Sequence, residues 1–186
     1  MVKVSIVNVV ATAALNQKLD INELSKFREV LYDPDIYNGR VAYFQSGNMK
    51  GKVSIFVSGK MISTGTVSEK EAVQELEYVK DFLVRKGYVK ATTLQCKIQN
   101  IVLMVNFEKT VDLERLVEDS KVIYEPEQFP GGILKLEDPC RVTALIFTSG
   151  KAVVTGLKSS TQIAPIIEKL GNIIQKYAQT NIEVEP

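Results

Sequence analysis

Apolar positions along the chain follow two different periods, which predict strands and two long helices. In the opening stretch, β-branched residues alternate with the two-residue period of a strand, as Val4, Ile6 and Val10 do. Farther on, the period changes to that of a helix, in the stripe Ala72, Leu76, Val79 and Leu83. The same stripe returns near the end of the chain as Ile163, Ile166, Ile167, Leu170, Ile173, Ile174 and Tyr177. We interpret both stripes as core-packing faces.

Local signals predict where these helices begin and end. Ser68 and Glu71 have the spacing of a capping box, in which the hydroxyl accepts from a backbone N–H and the carboxylate reaches back. Gly87 provides a C-terminal stop for the first helix. Pro165 stands near the start of the second, where proline is tolerated.

The whole pattern occurs twice along the chain, as an internal repeat. Asn8 of "IVNVVA" pairs with Asn100 of "IQNIVL" at an offset of 92 residues (100 − 8), and Tyr32 pairs with Tyr124 at the same offset. Later the offset is 91, as for Ile55–Gly65 against Ile146–Gly156, which predicts a one-residue insertion in the first copy. The sequence therefore predicts two repeats, residues 1–91 and 92–186, the second with a short C-terminal tail. Each reads strand, short helix, several strands, long helix.

If the helices cover one face of the sheet, the opposite face is apolar with a few polar groups. Asn8, Val10, Ile62 and Thr64 belong to it in the first repeat, and Asn100, Val102, Val153 and Thr155 in the second. An exposed apolar surface of this kind marks a binding site. The alternative is a face covered by another chain or sheet.

Composition narrows the functional classes. The hydrophobic share of 45% and the charged share of 24% are typical of a soluble globular protein, and no apolar run reaches the roughly 20 residues that span a bilayer. We read the apolar first residues as a strand, with a signal peptide as the alternative. The net charge of +1 leaves nucleic-acid binding open, because basic residues can gather on one face.

The inventory of reactive residues argues against catalysis. Histidine is absent, and the two cysteines, Cys96 and Cys140, match neither a zinc site nor a disulfide scaffold, which favours a reducing compartment. No glycine-rich phosphate loop is present. We expect no enzyme activity, no metal and no cofactor. An enzyme using paired carboxylates is the rival interpretation, but no pair stands out.

The chain resembles the TATA-box binding proteins of the archaeal type over about residues 3–180. The motifs that carry the resemblance are "QNIV", "YEPEQFPG", "LIFTSGKAVVTG" and "TGLKS" in the second repeat, with looser versions in the first. The resemblance implies an α+β fold in which two pseudo-symmetric repeats form a saddle, one curved antiparallel sheet with helices on its convex face. It implies binding to the minor groove of TATA-box double-stranded DNA and bending by aromatic wedges.

The resemblance also implies partners and a location. The protein would recruit transcription factor B and, indirectly, RNA polymerase, and we expect no membrane association. Whether the free protein forms a homodimer stays open at this point. It would be cytoplasmic and nucleoid-associated in an archaeon, or nuclear in a eukaryote.

Functional residues follow from the resemblance position by position. Base contacts fall on Asn8, Asn100, Val10, Val102, Thr64, Thr155, Ile62, Val153 and Leu145. The DNA wedges fall on Tyr37 and Phe56 in the first repeat and on Phe129 and Phe147 in the second. Phosphate contacts fall on Lys50, Ser58, Lys60, Lys135, Arg141, Ser149, Lys151 and Lys158. Glu125 and Glu127 match the acidic positions that bind transcription factor B, and Asp33 and Asp35 occupy the first-repeat loop. The alternative for the lysines and the acidic loops is that they form an ordinary solvated surface with no binding role.

The first repeat departs from the family where the wedge is built. Tyr37 replaces a phenylalanine, Ser54 stands where Leu145 stands in the second repeat, and Val67 takes the place of Lys158. Burying the tyrosine hydroxyl between bases costs about 1–3 kcal/mol unless it finds a partner. We expect a competent second wedge and a weakened first one. The chain then either binds TATA boxes less tightly alone or is a diverged paralogue that depends on partners. A separate alternative is a protein-binding regulator of the same fold that has lost TATA binding.

Overall fold

A computed structural model of the protein describes residues 1–118 and 122–178. The chain divides into two compact units, which are described separately. The first unit is Val7–Asn100, and the second joins Met1–Ile6 to the described residues from Ile101 onward. The repeat boundaries at 1–91 and 92–186 stay a prediction about sequence repeats. The tail predicted at the C-terminus falls on residues 179–186, outside the described residues.

The first unit contains a five-stranded antiparallel arrangement and one long helix. Its strands are β1 (Lys3–Ala14, of which the part from Val7 belongs here), β2 (Val30–Tyr32), β3 (Val41–Phe44), β4 (Lys52–Phe56) and β5 (Lys60–Thr66). They lie in the order β2-β3-β4-β5-β1. Its helices are α1 (Ile21–Leu24) and α2 (Glu69–Arg85).

The second unit repeats this plan. Its strands are β6 (Lys97–Asn106, of which the part from Ile101 belongs here), β7 (Val122–Ile123), β8 (Gly132–Leu136), β9 (Val142–Ile146) and β10 (Lys151–Leu157), in the antiparallel order β6-β10-β9-β8-β7. Its helices are α3 (Leu113–Leu116) and α4 (Ile163–Lys176). The predicted element order of each repeat is confirmed.

Alternation along the strands separates a buried face from a half-buried one. In β1, Val9 and Ala11 are fully buried, whereas Asn8 and Val10 between them keep part of their surface in solvent. In β10, Val154 is buried and its neighbours Val153 and Thr155 are half-buried. Successive side chains of a strand point to opposite faces, so each unit turns one face to its core and leaves the other open.

Helix α2 covers the buried face of the first unit. It packs on β4 and β5, and its predicted stripe is fully buried. Phe82 of this helix meets Phe44 of β3 edge to face, with ring centroids 4.8 Å apart. Aromatic pairs of this geometry stabilise a core beyond the area that they bury. In the second unit, α4 buries Ile166, Leu170 and Ile174 in the same way.

The predicted helix ends are confirmed, with one change. Ser68 Oγ accepts from the Glu71 N–H at 3.2 Å, but the Glu71 carboxylate accepts from the N–H of Val67 rather than from that of Ser68. Gly87 has a φ of 75°, and the N–H groups of Gly87 and Tyr88 donate to the carbonyls of Val84 and Leu83, which completes a Schellman motif. No helix in the described part of the chain is long and apolar enough to cross a membrane.

Candidate nucleic-acid interface

Cross-strand pairs place the predicted base-contact residues on the half-buried face of each unit. In the first unit, a row of directly paired residues crosses five strands, and it runs Thr12, Ile62, Ser54, Tyr43, Leu31. The matching row of the second unit runs Met104, Val153, Leu145, Ile133, Ile123. All ten side chains are half-buried or exposed. The open faces are therefore continuous stripes of small and medium apolar groups with a few hydroxyls.

The Asn8 side chain is oriented by the backbone of the neighbouring strand. Its Oδ1 accepts from the Gly65 N–H at 2.8 Å. Because a backbone N–H only donates, this bond fixes which end of the Asn8 amide is the oxygen. The NH₂ group therefore points away from Gly65 and can donate to a ligand. Gly65 has a φ of 93°. Asn8 thus presents hydrogen-bond donors to a ligand on the open face.

The remaining predicted base-contact residues lie on the same faces. Val10, Thr64 and Asn100 are half-buried in the first unit. Val102 and Thr155 are half-buried in the second, where Thr155 pairs across the strands with Thr143. The structure thus brings these residues onto the faces that the alternation predicts. Their role in base contact stays a prediction.

The second unit holds its two predicted wedge residues together. The rings of Phe129 and Phe147 are half-buried, with centroids 5.8 Å apart and planes at 60°. Gly131 leaves the space for them, because a Cβ there would lie 2.8 Å from Phe129 Cε1 and 3.1 Å from Phe147 Cε1. The pair is thus a preformed aromatic surface at the end of β9.

The first unit does not bring its counterparts together. Tyr37 is 71% exposed and has left-handed backbone angles, φ 50° and ψ 36°, as has Asn38 beside it. Among the described residues, no ring contact joins Tyr37 to Phe56. Tyr37 therefore stands away from the aromatic ring with which the sequence pairs it, and its wedge role stays a prediction.

Strand register explains this separation. Phe129 precedes Gly132, which pairs with Ile146, by three residues (132 − 129). Tyr37 precedes Ala42, which pairs with Ile55, by five residues (42 − 37). Counted between corresponding paired residues, the β2–β3 connection, which carries Tyr37, is thus two residues longer than the β7–β8 connection, which carries Phe129. Counted in the same way, the β3–β4 connection is one residue shorter than the β8–β9 connection. Together, these two changes give the net single insertion that the sequence predicts. Counted back from the paired strands, the position of Phe129 in the second unit corresponds to Gly39 in the first, not to Tyr37.

Two tight hairpins display the predicted phosphate-contact residues. Gly59 and Gly150 have φ angles of 81° and 76°, and a Cβ on them would lie 2.1 Å from the Gln17 carbonyl oxygen and 1.9 Å from the Lys109 carbonyl oxygen. Only glycine fits such a left-handed turn against the backbone. Each turn exposes a serine and a lysine, Ser58 with Lys60 and Ser149 with Lys151.

The predicted cationic residues fall into two groups. Lys50 is bonded to Glu71 of α2, and Arg141 Nε lies 2.8 Å from Glu137 Oε2. The other four are exposed, and no carboxylate in the described part of the chain pairs with them: Lys60, Lys135, Lys151 and Lys158. This second group is the more available to an anionic ligand.

Both acidic loops are exposed and locally ordered. The N–H groups of Gln128 and Phe129 donate to the Glu125 carbonyl, each at 2.9 Å, so the turn that carries Glu125 and Glu127 also positions the aromatic pair. In the first unit the Asp35 N–H donates to Asp33 Oδ1 at 2.9 Å. Within the described ranges, no group of three or more potential metal ligands forms a cluster. The absence of a metal or cofactor stays a prediction.

Sequence reasoning missed Thr12, Met104, Tyr43 and Ile133, which extend the open faces. Continuing the alternation from Val10 and Val102 by two residues would have found Thr12 and Met104. The Thr12 hydroxyl accepts from Gln99 Nε2 at 2.8 Å, and Lys52 Nζ lies 4.9 Å from the centroid of the Tyr43 ring. No sequence pattern predicts the contact between Lys52 and the Tyr43 ring.

Fold and site together define a class: a repeated α+β protein whose units each leave one sheet face open, edged by exposed cations. The chain belongs to the family of transcription factor TFIID, or TATA-binding protein (TBP), whose family model matches residues 3–85 and 95–177. This is a family of DNA-binding transcription factors, not of enzymes.

Individual relatives and a solved structure agree with this assignment. The chain is 36% identical over 176 residues to the TATA-box-binding protein of Aeropyrum pernix, which covers 94% of this chain and 85% of the relative. It is 39% identical over 171 residues to that of Sulfurisphaera tokodaii, which covers 90% and 84%. The structure of Methanococcus jannaschii TBP matches with a TM-score of 0.81 at 31% identity, over 94% of this chain and 99% of that one. The predicted family and fold class are confirmed.

Proposed function

We propose that the protein binds TATA-box DNA through the minor groove and bends it, as a general factor of transcription initiation. The observation that carries the proposal is the character of the open faces: apolar stripes with an outward-facing Asn8 amide, in a chain of the TATA-binding family. A·T pairs show only acceptors in the minor groove, whereas a G·C pair adds the guanine amino donor.

The side chains of the open face suit this readout. The Asn8 NH₂ donates to adenine N3 or thymine O2, and Thr64 and Thr155 reach neighbouring acceptors. Val10, Val102, Ile62 and Val153 press on the sugars and the base edges. A guanine amino group would meet methyl groups there and lose its hydrogen bond to water, which costs about 1–3 kcal/mol per mismatched pair.

The Phe129–Phe147 pair supplies the wedge. Apolar side chains inserted between base steps unstack them and kink the duplex, and the TATA-binding family is an established example of this mode of binding. The exposed lysines neutralise phosphates on either side of the groove, with Ser58 and Ser149 as further donors.

The acidic loop is the proposed site for transcription factor B. Glu125 and Glu127 project from the turn that also carries Phe129. The partner would therefore bind next to the wedge and stabilise the bent complex, and RNA polymerase would follow indirectly through it.

A second candidate function, DNA binding that depends on a partner, is favoured by the first unit. Tyr37 and Phe56 make no ring contact there, so one of the two kinks lacks its preformed wedge. The experiment that separates the candidates measures binding to a labelled TATA duplex and to a G·C-substituted duplex, with and without transcription factor B. Selective binding by the protein alone supports the general factor, and selectivity only with transcription factor B supports the second candidate. Absence of selectivity in both conditions contradicts both.

A further inference from the structure

Ser54 and Leu145 occupy the same place in the two units. Ser54 pairs with Ile62 on one side and Tyr43 on the other. Leu145 pairs with Val153 and Ile133. The two residues are therefore the third members of the matching rows on the open faces, and the units differ there by an isobutyl group against a hydroxymethyl group.

The Ser54 hydroxyl is available to a ligand. Ser54 is half-buried, and in the described part of the chain its Oγ takes part in no hydrogen bond. Ile62 beside it offers only methyl groups. The Tyr43 ring on the other side lies below the Lys52 ammonium, with Nζ 4.9 Å from the ring centroid. Ser54 is thus a small polar group between two larger side chains, with no hydrogen-bond partner for its hydroxyl among the described residues.

We propose that Ser54 determines base specificity and lets the first unit accept a base pair that carries a minor-groove amino group. This inference rests on the proposed minor-groove binding. The guanine N2 amino group protrudes from the groove floor and needs both room and an acceptor. Ser54 supplies the room that a leucine fills, and its Oγ accepts from the amino N–H. Leu145 supplies neither, so the second unit rejects the same pair.

The consequence is that the two halves of the binding site are not equivalent. The half read by the second unit has to be A·T at the pair facing Leu145, where the Phe129–Phe147 wedge also acts. The half read by the first unit accepts G·C or A·T at the pair facing Ser54. A promoter with one G·C pair would therefore be bound in one orientation, with the first unit over that pair.

The test uses a duplex of alternating T·A and A·T pairs as the reference. Replacing adenine by 2,6-diaminopurine adds the minor-groove amino group without changing the thymine partner, and the replacement is scanned through one half-site and then placed symmetrically in both. At the base pair that faces Ser54 or Leu145, a single replacement should weaken wild-type binding less than about threefold. The protein can bind in the orientation that places the first unit, with Ser54, over the replaced pair. The symmetric double replacement should weaken it about tenfold or more.

Two matched variants complete the test. Ser54→Leu should make the single replacement cost about tenfold, and Leu145→Ser should remove most of the cost of the double replacement. Both side chains are half-buried on the open face, and thermal unfolding confirms that the variants are folded. If one replacement already weakens wild-type binding tenfold at every position, or if Ser54→Leu changes nothing, the inference is overturned. Loss of preference for the reference duplex over an all-G·C duplex would instead overturn the proposed function.

Discussion

The rings of Phe129 and Phe147 lie edge to face with their centroids 5.8 Å apart, on the half-buried side of the second unit. The pair is already assembled in the protein without DNA, because the glycine at position 131 leaves room for both rings. A preformed wedge loses little conformational entropy on binding. The first unit, in which Tyr37 is 71% exposed, would have to order its aromatic residue first.

This contrast predicts unequal effects of wedge mutations. Phe129→Ala should weaken binding to a TATA duplex by about 2–3 kcal/mol and reduce the bend, since base–aromatic contact and wrapping are lost together. Tyr37→Ala should cost less than about 0.5 kcal/mol. Tyr37→Phe should strengthen binding only if the ring inserts. Equilibrium binding and a fluorescence bend assay measure both quantities, and equal losses for the two alanine variants would contradict a one-sided wedge.

Asn8→Asp should abolish selective binding while leaving the fold intact. The carboxylate still accepts the Gly65 N–H that Asn8 Oδ1 accepts at 2.8 Å, but it has no donor for the base acceptors and repels the phosphates. We expect a loss of about 2 kcal/mol or more in binding free energy. Asn172→Asp, at an exposed position of α4, adds the same charge on the helix that covers the buried face and serves as the control. Retained affinity in Asn8→Asp would exclude the donor role.

The two groups of cationic residues should differ in salt dependence. Lys151→Gln should reduce the slope of log K against log salt by about 0.9, since one phosphate contact is lost. Lys50→Gln should reduce it by much less, because this ammonium is already bonded to Glu71. Titrations at several salt concentrations measure both slopes. An equal reduction in Lys50→Gln would show that its ion pair opens to contact DNA.

Glu108 should make stability depend on pH in a narrow acidic window. Hydrogen bonds from Lys3 and from the Met1 amino group, together with their charges, lower the pKa of this carboxyl to about 2. Because the folded pKa is below the unfolded value of about 4.3, the stabilisation is present above about pH 4.3 and is lost as the pH falls toward 2. Urea unfolding should show Glu108→Gln destabilised at neutral pH and nearly equal to wild type near pH 2. A constant difference at all pH values would contradict this origin.

Sequence reasoning recovered the features that short-range periodicity encodes. Val10 is predicted on the open face, and its neighbour Val9 is buried, because a strand with one buried face has to alternate. The sequence predicts Ser68 and Gly87 at helix ends because capping involves residues only a few positions apart. The correspondence of Ser54 with Leu145 follows from the constant offset between the two repeats.

The features that sequence reasoning missed depend on loop length and on distant partners. Tyr37 was aligned with Phe129 at a constant offset, but the longer loop before β3 carries no period that would show two extra residues. Lys50 meets a glutamate 21 positions away, across the gap between a loop and a helix. Glu75 looks like a surface residue of α2, yet it is 7% exposed and accepts from the N–H groups of Lys50 and Gly51. Such contacts arise only when the elements pack.

The most direct test of minor-groove reading replaces every A·T pair of a TATA duplex by inosine·cytosine. This change alters the major groove but presents the same acceptors in the minor groove as A·T, without the guanine amino group. We predict that the protein binds the inosine duplex within about threefold of the TATA duplex and rejects the corresponding G·C duplex by about tenfold or more. Equal rejection of the inosine and G·C duplexes would contradict it.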